Sequence, residues 1–275
     1  MLPQKYPSRR SVIWVFICTV LLYTIIGFFM TTASGSLVPN KWLLFFGGAI
    51  LPLPAYLYLR HGRYDIRVIF RLNLVSRRVM GLSLALGLAA FFLTHQLNSL
   101  INIVLPFPEE YRARFALALT ANSASEWILI FLALVILPGI FEEIVFRGFV
   151  QNTFERYHQP LIAICITAAI FAATHGLLWW LLQIFTLGVL LGWMAWKSDS
   201  IIPSAIVHAI NNLLAVLFEN LKLAPSWLFW QGWGQNHVQP VLLAVAALII
   251  YFCLQFFNRF CEEETELPTF LNTPL

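Results

Sequence analysis

Apolar runs separated by short segments rich in Arg, Lys, Gly and Pro recur along the whole chain. Runs of about 20 residues are long enough to cross the ~30 Å hydrocarbon core as helices. The pattern predicts eight spans, near residues 11–30, 41–59, 80–104, 126–154, 161–178, 180–196, 201–219 and 239–257. The fourth is the longest and its inner third is polar, which predicts a helix that tilts or projects from the bilayer. The fifth and sixth are divided only at LLWWLLQ. The expected architecture is an all-α polytopic transmembrane bundle with a membrane-embedded polar site. No repeat or low-complexity segment stands out. The chain divides into N-terminal helices with a basic loop (1–125), a core (126–219) and a last helix with an acidic tail (220–275).

Composition agrees with this pattern. Of 275 residues, 60% are hydrophobic and only 11% charged, against roughly a quarter charged in a soluble domain. The formal charge of +4 does not point to nucleic acid, because the basic residues lie between spans, where they set topology. With both termini cytoplasmic, the inner side receives Lys5, Arg9, Arg10, the six arginines from Arg60 to Arg78, Arg147, Arg156, Lys197 and Arg259. The outer side receives only Lys41, Arg112, Arg114 and Lys222. This bias favours that topology over its inverse. It also gathers Trp42, Trp127, Trp179, Trp180, Trp227, Trp230 and Trp233 near the outer interface as an aromatic belt. The first run, through Met30, is longer than the apolar region of a signal peptide and reads as an uncleaved span, with cleavage after TTASGS the alternative. Arg67, Arg71 and Arg78, interleaved with Ile66, Ile69, Phe70 and Leu74, read equally as an interfacial helix on anionic lipid or as a solvated loop. The four cysteines are scattered, without CxxC spacing, so redox chemistry and a cysteine metal site are not expected.

Charge inside the fourth span needs a reason. In LPGIFEEIVFRGF, Glu143 and Arg147 are four residues apart, the helical spacing at which an acid and a base touch. Glu142, about 100° away around the helix, has no such partner. A structural ion-pair cluster is the plainer explanation of these charges. Two further spans change the balance. The fifth holds His175 late in an apolar run, and the seventh holds His208 and Asn212 on one face, with Asn211 beside them. Polar groups in lipid turn inward and find one another. Such a set can act in two ways. A buried carboxylate takes a proton from the water that attacks a carbonyl, with His or Asn212 donating to the oxyanion. Alternatively Glu142, His175 and His208 hold zinc, which generates the hydroxide. Both lead to peptide hydrolysis.

The three motifs, Glu142-Glu143-Ile-Val-Phe-Arg147, Phe171 to His175 and His208 to Asn212, occur in order on successive apolar spans. In this they resemble the CPBP family of intramembrane proteases, which includes CAAX prenyl endopeptidases and bacteriocin-processing or immunity proteins. The resemblance covers about 126–219 and departs from none of the three patterns. It implies that Glu142 activates water, that His175 and His208 are catalytic or metal-binding, that Asn212 donates to the oxyanion, and that Glu143, Arg147 and Phe171 support them. It leaves zinc as a candidate cofactor beside a metal-free mechanism. No HExxH occurs, which excludes a zincin-like helix. The expected activity is endopeptidase cleavage of a membrane-associated or prenylated polypeptide near the cytoplasmic leaflet. The bilayer is the other partner, and the expected location is the plasma membrane.

Two further classes compete with the protease. A silent scaffold or immunity protein would be favoured by a missing motif residue, and none is missing. A proton-coupled transporter would be expected to show repeated halves, and none is visible. The remaining features read as structural. Gly188 and Gly192 are a helix-packing pair, His95 with Thr94, Gln96 and Asn98 is a packed polar face, and Glu262 to Glu264 form a solvated tail. Pro138-Gly139 is expected to bend the fourth helix and admit water. Counting rise per residue sets Glu142 and His175 roughly 20 Å from the inner ends of their helices and His208 about half as deep.

Overall fold

A computed structural model describes residues 6–34, 41–221, 225–232 and 235–266, without the side chains at 30–34, 114–115 and 264–266. Lys5, Lys222 and Trp233 therefore lie outside the described residues, as do the side chains of Arg114 and Glu264. Helices stand where the apolar runs predict them, since a segment in lipid must satisfy its own backbone hydrogen bonds. In chain order they are α1 (Arg9–Ser34), α2 (Lys41–Ile50), α3 (Leu53–His61), the single turn α4 (Ile66–Ile69), α5 (Arg77–Val104), α6 (Glu109–Leu119) and α7 (Ala124–Phe154). After them come α8 (Pro160–Thr174), α9 (Leu178–Ser198), α10 (Ile202–Leu221), the strands β1 (Phe229–Gly232) and β2 (Gln235–Val238), and α11 (Pro240–Glu266). The fold is the expected polytopic helical bundle.

Three details differ from expectation. Among the described residues, seven helices are long and apolar enough to cross a membrane, taking α2 and α3 as one span interrupted beside Pro52. The predicted fifth span is the 15-residue α8, about 22 Å long at 1.5 Å per residue. It ends at Thr174, so the joint to α9 is His175-Gly176-Leu177 rather than the tryptophans, and Gly176 makes the turn with a φ of +68°. The antiparallel hairpin β1–β2 pairs Phe229 with Val238 through Gly232 with Gln235. It was not predicted, because a four-residue strand shows too few alternations to be read.

The helices give the bundle two ends. One holds the start of α1, the end of α7, the α9–α10 turn and the end of α11; the other holds α6, the hairpin and the described tryptophans of the predicted belt. The apolar core is built from Leu86, Leu191, Met194, Val207 and Phe257 between α5, α9, α10 and α11. A second cluster, with Leu59, Phe70, Phe149 and Phe154, lies at the end that carries the termini.

The basic loop between α3 and α5 folds back on the bundle through Ile69, Phe70 and Arg71, which are buried. It is docked. Arg71 is only 4% exposed, and its guanidinium reaches both carboxylate oxygens of Glu155, Asp199 Oδ1 at 3.1 Å and the carbonyl of Arg147 at 3.4 Å. Asn152 Nδ2 donates to the carbonyls of Val68 and Ile69 at 3.0 and 3.1 Å, and the amide of Ile201 donates to the Arg71 carbonyl at 3.0 Å. Gly148 makes the close approach possible, since a Cβ there would lie 2.8 Å from the Phe70 backbone. Of the residues expected on the lipid-facing surface, Arg67, Leu74 and Arg78 remain exposed.

Removing one partner of a buried pair strands the other, at about 3–5 kcal/mol. Arg71→Ala is therefore expected to lower stability in detergent by about that amount, whereas Asp199→Asn, at an exposed partner, costs about 1 kcal/mol or less. Thermal unfolding of the two variants measures this, and equal losses would show that Glu155 is not what holds Arg71.

Candidate functional site

The site is organised by α7. Its ends are α-helical, but Phe131–Ile136, Pro138–Glu142 and Ile144–Gln151 are π-wound, a rare state concentrated at functional positions. Pro138 has no N–H, so the carbonyl four residues earlier, that of Leu134, loses its α-helical donor. Asn212 Nδ2 on α10 fills that place at 2.9 Å. Gly139 lets the two helices close up, for a Cβ there would lie 3.0 Å from the Ala209 Cβ. Approach at this level sets His208 against the paired glutamates.

Glu143 is fully buried and Arg147 nearly so. Arg147 Nη1 donates to Glu143 Oε1 at 2.9 Å, the predicted pair. The same oxygen lies 2.9 Å from His208 Nδ1. A carboxylate only accepts, so this contact makes His208 the Nδ1–H tautomer and leaves Nε2 with a lone pair in the neutral ring. His208 Nε2 is 3.9 Å from Glu142 Oε2, too far for a direct hydrogen bond but suited to one bridging water. Glu142 keeps 23% of its side chain exposed, and its Oε2 is a buried oxygen without a hydrogen-bond partner. Glu143 thus has a second role beyond the expected ion pair, which is to orient His208.

Arg147 is held on its other sides as well. Nη2 donates to the Gly188 carbonyl at 3.3 Å, and the guanidinium lies 4.3 Å from the Phe171 ring centroid. One turn on, Gln151 Nε2 donates to the Gly192 carbonyl and to Glu155 at 2.8 Å each. The glycine pair was expected only to pack helices. It also bares two carbonyls of α9, which the absence of side chains leaves open to long polar groups from α7. Phe171 is the aromatic hub of the site, with ring centroids of Phe146 and His175 at 4.9 Å and His208 at 5.7 Å. Phe171, near the end of α8, touches His208 in the first half of α10, so the two helices do not start level. That offset accounts for the unequal depths counted along the sequence.

His175 caps α8, with Nδ1 2.8 Å from the Phe171 carbonyl. A carbonyl accepts, so His175 is also the Nδ1–H tautomer. His175, His208, Asn212 and Phe171 all line one cavity of about 710 Å³, whose far wall is built by α5 and the hairpin. Glu142 meets this group through His208 and is not on the cavity wall. Glu142, His175 and His208 are not gathered as a metal-ligand set: among the described residues no three His, Cys, Asp or Glu side chains stand together at such spacing. Asn212, expected as an oxyanion donor, commits one amide hydrogen to Leu134 and retains the other. Gln151 and the Pro138–Asn212 relation were missed in the sequence, although a proline four residues after an unpaired carbonyl is a readable signal.

Fold and site together define a class, a polytopic helical membrane protein with a carboxylate–histidine centre inside the bundle. Residues 124–214 match a family model described as Rce1-like, type II CAAX prenyl endopeptidase. The matched segment contains all three motifs and supports membership of the CPBP family of intramembrane proteases. No curated protein and no solved structure matches the chain.

The two glutamates should respond differently to loss. Glu143→Ala leaves Arg147 charged and buried without its partner, an expected loss of about 3–5 kcal/mol. Glu142→Ala removes a partly exposed group with no hydrogen-bond partner at Oε2 and should change stability by about 1 kcal/mol or less. Unfolding temperatures of the two purified variants in detergent compare these, and an equally destabilised Glu142 variant would contradict the division.

Proposed function

We propose that the protein is an intramembrane endopeptidase that hydrolyses a peptide bond in a membrane-associated polypeptide, with prenylated peptides as the substrate class. The observation that carries this reading is the alignment of Glu143, His208 and Glu142, which ends in a carboxylate oxygen free of hydrogen-bond partners beside a large cavity. Glu142 takes a proton from a water bridging its Oε2 and His208 Nε2. The water oxygen attacks the scissile carbonyl carbon, and the remaining Asn212 amide hydrogen donates to the oxyanion that forms. Collapse of this intermediate breaks the C–N bond, and the proton held by Glu142 passes to the leaving amine. The products are a carboxylic acid and an amine. Glu143 holds the tautomer and orientation of His208 throughout, and Arg147 keeps Glu143 charged.

The direction of the cavity bears on the substrate. It extends from His208 towards Glu219 and the hairpin, about 16 Å along α10, away from the end that carries the termini. We take both termini to face the cytoplasm of a plasma-membrane protein, as the basic loops predict. The part of the cavity beyond His208 then lies towards the opposite leaflet.

The reading is tested with purified protein in nanodiscs and fluorogenic prenylated peptides. Wild type should turn over a peptide, and Glu142→Ala should lose about 10²–10⁴-fold in kcat, the usual contribution of a general base, while keeping its fold. Glu143→Ala and His208→Ala should also lose turnover. Equal inertness of wild type and the Glu142 variant across a peptide library would remove the protease assignment. Repeating the assay with chelator and then added zinc decides whether a metal takes part.

A further inference from the structure

The wall of the cavity opposite the motif residues comes from α5 and the hairpin, outside the segment 124–214 that matches the family model. The polar face of α5 is largely used for assembly. Thr94 donates to Asn211 Oδ1 at 3.3 Å, Gln96 accepts from the Val238 amide at 2.9 Å and contacts His237 Nδ1 at 3.0 Å, and Ser99 donates to the Asn236 carbonyl at 2.7 Å. Asn102 Oδ1 accepts from the Phe107 amide at 3.0 Å. Two atoms on this face are left over. His95 Nε2 and Asn98 Oδ1 are buried and have no hydrogen-bond partner, and both residues line the cavity.

A buried polar atom without a partner weakens the free protein, so two of them on one wall need an account. They are not loosely placed. The His95 ring is fixed between Phe229, at 5.0 Å, and Phe91, at 6.0 Å, and Ser99 ties the next turn of α5 to the hairpin. His95 and Asn98 are three residues apart on one helix, so their side chains are neighbours, with Cβ atoms about 5–6 Å apart.

We propose that His95 and Asn98 form a peptide-backbone clamp that holds the polypeptide substrate in the half of the cavity remote from Glu142. This rests on the endopeptidase reading and adds the residues that recognise the chain. Asn98 Oδ1 accepts a hydrogen bond, and His95 Nε2 accepts or donates according to its tautomer. One edge of an extended peptide presents both N–H and C=O groups at intervals of a few ångströms and so meets either tautomer. A lipid chain supplies neither group. Because the clamp reads backbone, it fixes the register of the cleaved bond relative to Glu142 while leaving side-chain identity to the apolar wall.

The test uses the full chain in nanodiscs and a fluorescein-labelled prenylated peptide. Anisotropy gives the Kd of this peptide for Glu142→Gln, which is not expected to turn it over, and KM and kcat are measured with an intact Glu142. His95→Leu and Asn98→Leu should each raise Kd and KM about tenfold, the scale of one hydrogen bond lost from binding. In both, kcat should stay within about twofold and the unfolding temperature should hold or rise, since an unpartnered polar atom is removed. Methylating the backbone nitrogens of the peptide should weaken binding to the wild-type clamp and have little further effect on the Asn98 variant. Unchanged Kd and KM in both variants would overturn the clamp and leave the protease reading standing. Binding that the variants weaken, in a protein with no turnover, would support the clamp and overturn the protease. A wild type that neither binds nor cleaves the peptide would overturn both.

Discussion

The buried charge of Arg147 is the constraint around which this bundle is arranged. A guanidinium 1% exposed in a low-dielectric interior is tolerated only if its charge is met by a partner. Glu143 supplies the counter-charge, the Gly188 carbonyl an acceptor and the Phe171 ring a face of negative potential. Those partners come from α7, α9 and α8, so satisfying one cation fixes three helices relative to each other. His208 on α10 joins through the same Glu143 oxygen. The geometry that stabilises the charge is therefore the geometry that aims an imidazole at Glu142.

This sharing explains why the two adjacent glutamates are unlike. Glu143 is committed on two sides to groups from its own helix and from α10, and a carboxylate held that way serves orientation. Glu142 is turned out of that cluster, partly exposed, with a lone oxygen near His208 Nε2. The π-winding of α7 and the missing N–H of Pro138 belong to the same design, because they free a carbonyl that Asn212 then takes up. At the end that carries the termini, Arg71 repeats the theme with Glu155 and Asp199, closing the loop over the α9–α10 turn.

Much of this was legible in order of residues alone. The Glu143–Arg147 pair follows from i, i+4 spacing, and the inward position of His208 follows from the cost of polar groups in lipid. Other features were not. Arg71 sits among five other arginines of one loop, and nothing local distinguishes the one that is buried from those that remain in water. The partners that distinguish it, Glu155 and Asp199, lie about 80 and 130 residues away along the chain (sequence separations of 84 and 128). The hairpin was invisible for a related reason, since its strands hold their place through Gln96 and Ser99 of α5 rather than through their own pattern.

The sequence by itself determined the spanning helices, the polar residues they carry and the charge bias of their connections, because hydropathy and helical period act over neighbouring residues. Only the tertiary structure decided that His208 stands between the two glutamates, that Glu142 meets the cavity through it, and that the cavity runs towards the hairpin end. Those facts depend on helix offset, on close approach at Gly139 and Gly148, and on which carbonyls are left without donors. Each is set by contacts between segments far apart in the chain, where no local rule of spacing reaches.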